Sequence, residues 1–380
     1  MEMYIWEELK WPEFTWDSHN LIRLLTETSR KQGKLLGKME ALGFELRSEA
    51  HLQTLTEDVV KTSEIEGENL QREQVRSSIA RRLGIDTGGP VPVDRNVEGI
   101  VEMMLDATSN YSEPLTDERL FAWHASLFPT GRSGMHRITV GDWRTVAAGP
   151  MQVVSGPIGR EKVHFEAPPA ERVPDEVASF IQWFEQPRET DPLLVAGLAH
   201  LWFVTIHPFE DGNGRIARAI TDMALARSER TGQRFYSMSA QIRREHKDYY
   251  EILESTQKGD LNVTLWLQWF LDCLQRAVDS SEEMLDTVLQ KAKFWERFAK
   301  EPLNDRQIKV LNRLFDGFEG KLTSSKWAKI AKCSQDTAHR DIVNLIERGA
   351  LTKDSSGGRS TSYSLRDQEA DLHPSNRFCT

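Results

Sequence analysis

Apolar residues recur at three- and four-residue intervals through most of this chain, the period of a helix with one buried face. The pattern predicts helices over residues 21–42 and 46–66, a third from about 69 to 83, and two more over 96–110 and 116–127. Gly43 reads as the stop of the first. Residues 84–95 are rich in Gly and Pro and read as a surface loop. The helical period fails between residues 131 and 165. There Gly, Val, Thr and Pro alternate with basic residues, as in Arg144-Thr145-Val146, and a loop-and-hairpin region is expected. Helices resume at Pro174 and continue, with breaks, to about Lys300. Residues 193–206 are the most apolar stretch. At about fourteen residues they fall short of the roughly eighteen that suggest a membrane span, and they contain His200, so they read as a buried helix. The fold class expected is mainly α.

Residues 303–366 read as a small separate domain. Three short helical patterns (305–315, 324–331, 334–347) precede two strands at 351–353 and 361–365, with Ser355-Ser356-Gly357-Gly358 as the turn between them. This segment holds 12 Lys and Arg against 7 Asp and Glu, a net +5, so the remainder carries −15 of the overall −10. The expected organisation is an N-terminal helical module (1–90), a central domain (91–300), the small domain (301–366) and a polar tail (367–380). No internal repeat is visible.

The net charge argues against non-specific nucleic-acid binding by the whole molecule. Cys273, Cys333 and Cys379 lie far apart without a CxxC pair, which points away from a disulfide framework or zinc site and toward a reducing compartment. Residues 1–16 are charged and Trp-rich, unlike a signal peptide. A cytoplasmic protein without membrane association is expected. Trp6, Trp11 and Trp16 are spaced for neither one helix face nor one strand face, and are expected to dock the N-terminus onto the core.

One string concentrates chemistry: His207-Pro208-Phe209-Glu210-Asp211-Gly212-Asn213-Gly214-Arg215, then Ile216-Ala217-Arg218. Pro208 stops the preceding helix, leaving His207 at its end. Phe209 is expected to anchor the loop in the core. Gly212-Asn213-Gly214 lets successive backbone N–H groups converge on an anion, and a helix starting near Arg215 would add its dipole. Arg215 and Arg218 share a helix face and could reach phosphates. Asp211 offers a hard oxygen for Mg²⁺, and His207 titrates near neutral pH.

The string resembles the signature of the Fic family, HPFx(D/E)GN(G/K)R, with the further family arginine at Arg218, and the resemblance covers most of residues 50–275. It implies an all-α core with a β-hairpin flap and transfer of AMP from ATP to a protein hydroxyl, releasing pyrophosphate. His207 would deprotonate a Ser, Thr or Tyr hydroxyl. Asp211 would hold Mg²⁺ between the α- and β-phosphates. Gly212, Asn213 and Gly214 would cradle phosphate oxygens within an ATP-binding stretch that includes Ile216 and Ala217, and Arg215 and Arg218 would bind the outer phosphates. Thr62-Ser63-Glu64-Ile65-Glu66-Gly67 resembles the family's inhibitory motif, (S/T)xxxE(G/N), which pairs Glu66 with Arg218 and displaces the γ-phosphate. Independently, a carboxylate before a helix-capping Gly opposes the helix dipole and calls for an outside cation. Tyr249, Tyr250 and Gln257 resemble the segment beside the adenine. Glu161, Lys162, Val163 and His164 align with the flap, which holds its target by strand pairing. The implied partners are ATP, Mg²⁺, a protein substrate, the chain itself as substrate, and a second copy in a homodimer.

The small domain resembles a winged helix-turn-helix. Ser334 would cap its third helix and place Gln335, Asp336, Thr337, His339 and Arg340 near the start, with Lys353 and Arg359 flanking the wing, so residues 303–366 are a candidate DNA-binding segment. The same residues leave two other readings open. One is a de-AMPylating enzyme, in which Glu66 positions a water. The other is a DNA-binding regulator with the Fic region as sensor.

Overall fold

The computed structural model describes residues 3–85, 91–156, 160, 162–298, 303–315, 318, 320–354 and 361–366. The expected turn at 355–358, Arg359, Glu161, part of the 84–95 loop, Cys379 and the 367–380 tail lie outside these residues. The chain is mainly helical and divides into two compact units, residues 1–285 and 286–380. Among the described residues no helix is long and apolar enough to cross a membrane.

The first unit begins with α1 (Ser18–Glu40), α2 (Phe44–Ile65), α3 (Arg72–Leu83), α4 (Arg95–Ser109) and α5 (Asp117–Leu127). Asp17 and Thr116 cap α1 and α5 by accepting first-turn N–H groups. Gly43, read as the stop of the first helix, is instead the N-cap of α2, while Ala41 ends α1. Two antiparallel hairpins follow, β1 (Arg132–Ser133) with β2 (His136–Arg137), and β3 (Gln152–Ser155) with β4 (Lys162–Glu166). Helices α6 (Val173–Glu185), α7 (Pro192–Ile206), α8 (Asn213–Glu229), α9 (Met238–Arg244), α10 (His246–Gln257) and α11 (Thr264–Phe298) come next.

Helix α7 is the centre of the core. Thirteen of its 15 residues are buried, as an all-round apolar helix requires. Gly197 admits the aromatic side of α11, because a Cβ there would lie 3.0 Å from the Phe270 ring, and Trp266 Nε1 donates to the Gly197 carbonyl at 2.8 Å. Gly99 plays the same part between α4 and α5, where a Cβ would stand 1.7 Å from the Ser126 carbonyl oxygen. Gly99→Ala should therefore overpack this seam. A loss of about 1–3 kcal/mol is expected, read as a lower Tm in a thermal melt, and an unchanged Tm would contradict the packing.

The Trp-rich start docks as expected. Trp6 Nε1 donates to the Glu166 carbonyl at 2.7 Å, Trp11 Nε1 donates to Glu176 at 2.8 Å, and Thr15 forms a bridge to Asn262. A buried polar cluster pins α2 to the helices behind it. Asp58 of α2 accepts from Ser237 Oγ at 2.5 Å, and burial pushes its pKa up to about 6. Arg234 pairs with Asp222 and Glu229 of α8 at 3.2 Å each, and Gln32 of α1 donates to Glu229 at 2.6 Å.

The second unit holds α12 (Asp305–Phe315), α13 (Ser324–Ala331), α14 (Gln335–Glu347) and the antiparallel hairpin β5 (Leu351–Lys353) with β6 (Tyr363–Leu365). The small domain is expected over 301–366; the compact units divide at 285/286, inside α11. The reason is apolar burial: Phe294 and Phe298, on the last turns of α11, join the core formed by Trp327, Ile342 and Leu345.

Candidate active site

Helices α7 and α8 pack side by side and are joined by the 207–212 loop. His207 closes α7 in the left-handed region (φ 51°), a conformation rare outside glycine that brings the chain round into Pro208. Arg144 holds that bend, because its Nε donates to the His207 carbonyl at 2.7 Å, its guanidinium also reaches the carbonyls of Pro168 and Ile206, and its own N–H donates to the Pro208 carbonyl at 2.9 Å. A cation on the last carbonyls of a helix is the favourable sign. His207 Nδ1 donates to the Val204 carbonyl at 3.0 Å, which leaves the Nε2 lone pair for a proton. Burial holds the imidazole below the usual histidine range, so the ring is a neutral base at pH 7.

Gly212 caps α8 at φ 84°, and a Cβ there would press on Phe128 at 2.9 Å. The helix begins at Asn213, two residues before the expected start near Arg215. The Asn213 side chain does not face the anion seat. Its Oδ1 accepts from Phe209 N–H at 2.9 Å and its Nδ2 donates to the Phe209 carbonyl at 2.8 Å, so it closes the loop on itself. Phe209 is fully buried, as expected of the anchor.

The seat at the start of α8 is taken by a carboxylate of the same chain. Glu66, the C-cap of α2, accepts from Arg218 Nη2 at 2.6 Å, and Thr62 completes the grip by accepting from Arg218 Nε at 2.7 Å and, through its carbonyl, from Nη2 at 3.0 Å. Glu66 Oε1 lies so close to Gly214 that a Cβ there would stand 2.2 Å away. The absence of a side chain at 214 lets the carboxylate rest against the first turn of α8. Arg215 pairs with Glu68 at 3.0 Å and lies over the Phe128 ring at 5.1 Å. Both arginines are 2 % exposed. Ile216 and Ala217 are buried in the core side of α8.

Asp211 stands beside this seat, half-exposed. It accepts from the Gly212 N–H at 2.5 Å and from the Ser133 hydroxyl of β1, and lies 3.8 Å from Arg215. Its carbonyl is held by His124. The Nδ1 of His124 accepts from Gly141 N–H at 3.2 Å, its Nε2 donates to the Asp211 carbonyl at 3.2 Å, and its ring stacks on Phe209 at 4.1 Å. Burial lowers its pKa to about 4, so it is a neutral brace.

The remaining sequence-derived residues separate. Tyr249 is buried against Trp266 and Trp269, and its hydroxyl bonds His200 Nε2 at 2.9 Å, so it serves the core more than an open pocket. Tyr250 is half-buried, with burial and then the nearby Glu66 pushing its pKa up to about 12. Gln257 is buried and donates to Thr205 Oγ1 at 3.2 Å. Lys162, Val163 and His164 lie on β4, as expected for a flap. The ladder skips one residue between Val153 and Val154, which makes His164 the extra residue of a bulge. Thus re-aimed, its Nδ1 reaches Glu254 of α10 and its Nε2 reaches Ser155 Oγ, each at 2.6 Å.

His124, Ser133, Arg144 and Glu68 join the site from outside the sequence motifs, and Thr62 stands at the head of the Glu66 motif. Arg144 and His124 bind backbone carbonyls far along the chain, a task with no local pattern. Glu68, two residues from Glu66 in an acidic stretch, was the one with a readable signal.

Known proteins bear on this geometry. The Fic/DOC family matches residues 114–225, and a domain of unknown function (DUF4172) matches residues 4–85. The "Protein adenylyltransferase Fic" of Nematostella vectensis is 32% identical over 116 residues, covering 30% of this chain and 25% of that protein. The protein of the same name from Culex quinquefasciatus is 26% identical over 255 residues, covering 66% and 46%. The chain thus spans less than half the length of these curated relatives. A solved Fic family protein from Desulfovibrio desulfuricans G20 shares the fold over 93% of this chain and 98% of its own (TM-score 0.53, 22% identity). Residues 134–508 of Fic-1 from C. elegans do so over 72% and 76% (TM-score 0.51, 20% identity). Residues 114–225, which hold the loop after α7 and the glycine-opened start of α8, thus carry a Fic/DOC-family domain.

Proposed function

We propose that this chain transfers AMP from ATP to a hydroxyl group of a protein side chain, and that Glu66 restrains the transfer. One observation carries the reading. The helix-start anion seat beside His207 is filled by an internal carboxylate paired with Arg218, where the outer phosphate of a nucleotide would otherwise go.

In the transfer His207 Nε2 takes the proton of the acceptor hydroxyl. The hydroxyl oxygen forms a bond to the α-phosphorus, the bond from that phosphorus to the β-bridging oxygen breaks, and pyrophosphate leaves. The early N–H groups of α8 and the guanidinium of Arg215 steady the triphosphate, and Arg218 joins them once Glu66 withdraws. Positioning and charge neutralisation carry most of such a reaction. Asp211 would hold Mg²⁺, which supplies neutralising charge to the phosphates. The donor set fits, since one half-exposed carboxylate oriented by Ser133 and Gly212 suits an ion that takes one or two carboxylates plus phosphate oxygens and water.

The test is intact mass spectrometry of the full chain and of Glu66→Gly after incubation with ATP. Addition of AMP to the chain itself or to an added protein supports the proposal. No adduct on any protein from either form, with ATP bound, rejects it. The pH profile is a second expected result. Because burial lowers the His207 pKa, the base form prevails at neutral pH, so transfer should be flat from pH 7 upward and fall only on acidification below the usual histidine range. A rate that keeps climbing tenfold per unit above pH 7 would contradict this.

A further inference from the structure

We propose that the second compact unit binds duplex DNA, with the outer face of α14 reading base edges from the major groove. Helices α13 and α14 are joined by three residues, Lys332-Cys333-Ser334, with Lys332 in the left-handed region (φ 50°) and Ser334 Oγ accepting from Thr337 N–H at 3.2 Å. A turn of that length sets two helices in the crossed arrangement that presents the second to a groove. The inner face of α14 is fixed: Ala338, Ile342 and Leu345 are fully buried with Trp327, and Asp341 is paired with Arg306 at 2.9 Å. Its outer face is exposed and carries Gln335, Asp336, His339, Arg340 and Val343. Tyr363 of β6 donates its N–H to the Leu322 carbonyl at 3.0 Å, which ties the β5–β6 hairpin to the start of α13 as a wing, with Lys353 exposed on it.

Two observations favour DNA over a protein partner. The exposed face of α14 has a single large apolar side chain, Val343, at 38% exposure, whereas the centre of a protein interface is enriched in aromatic and apolar groups. Gln, His and Arg instead offer the donors and acceptors that match base edges. The second observation is charge. Residues 303–366 carry +5 within a chain whose remainder carries −15. Phosphate attraction would be confined to this unit, since the rest repels it.

The experiment uses the full chain without nucleotide, so its outcome does not depend on the transferase reading. A pool of duplexes with randomised centres is subjected to rounds of binding and amplification, and the enriched duplex is then titrated by fluorescence anisotropy at several salt concentrations. A recurrent motif should emerge, with log K falling by about 0.9 per decade of salt for each phosphate contacted. The His339→Ala/Arg340→Ala variant should bind the enriched duplex about tenfold or more weakly while keeping its affinity for random duplex. Lys332→Glu/Lys353→Glu should weaken both. Because all four residues are exposed, an unchanged Tm checks the fold. The proposal is overturned if no motif emerges, if the His339/Arg340 variant binds the enriched duplex like the parent, or if heparin is bound as tightly as any duplex; the last result would mark a generic polyanion surface.

Discussion

Replacing His207 should lower AMP transfer by about 10²–10⁴-fold, the usual contribution of a positioned general base. The choice of substitution matters because residue 207 sits at φ 51°. Asn tolerates that region and its side-chain amide can still donate toward the Val204 carbonyl, so His207→Asn removes the lone pair of Nε2 while sparing the bend. Ala would remove the base and strain the backbone together. Comparison of the two separates chemistry from geometry. ATP binding by calorimetry and the Tm should be nearly unchanged in the Asn variant. If His207→Asn transfers AMP as fast as the parent, the imidazole is not the base.

Removing the Glu66 carboxylate should act in the opposite direction. Arg218 is 2 % exposed and its charged hydrogen bond to Glu66, at 2.6 Å, must be given up before a nucleotide phosphate can take its place. A hydrogen bond to a charged group contributes about 1.5–3 kcal/mol, so Glu66→Gly should raise transfer roughly ten- to a hundredfold at limiting ATP. Gly is well tolerated at this position, the last before a Gly67 at φ 80° that already ends the helix. Glu66→Gln keeps the shape and loses the charge, and should fall between the two. The double change with His207→Asn should return transfer to background, which ties the gain to the same site. Equal rates for parent and Glu66→Gly, with equal ATP binding, would show that the pair does not restrain the enzyme.

The two predictions rest on features of unequal visibility. The unbroken apolar run announced α7 as a buried helix because it is buried all round, and Pro208 marked its end by covalent geometry. Gly212 and Gly214 pointed to an open helix start, and the structure adds that the Glu66 carboxylate rests against Gly214. The division at 285/286 left no mark in the sequence because α11 keeps one helical pattern from 264 to 298 while changing the core it serves. Asn213 was expected to offer its backbone N–H; what its side chain does was not legible, and the structure spends it on Phe209. A short polar side chain beside glycines can serve either a ligand or its own loop, and only the fold decides.

By itself the sequence determined the helical class, the helix stop at Pro208, the order of base, acid and arginines in the 207–218 string, and the charge imbalance of residues 303–366. These are local or additive properties, fixed by backbone geometry, periodicity and composition. Tertiary structure alone decided that Glu66 rests on Gly214, that Arg144 and His124 hold the carbonyls of His207 and Asp211, that the His164 bulge reaches Glu254, and that Tyr249 is spent on His200. Each joins groups far apart in the chain, and the free energy that selects them comes from burial and hydrogen-bond satisfaction, which no stretch of residues carries alone.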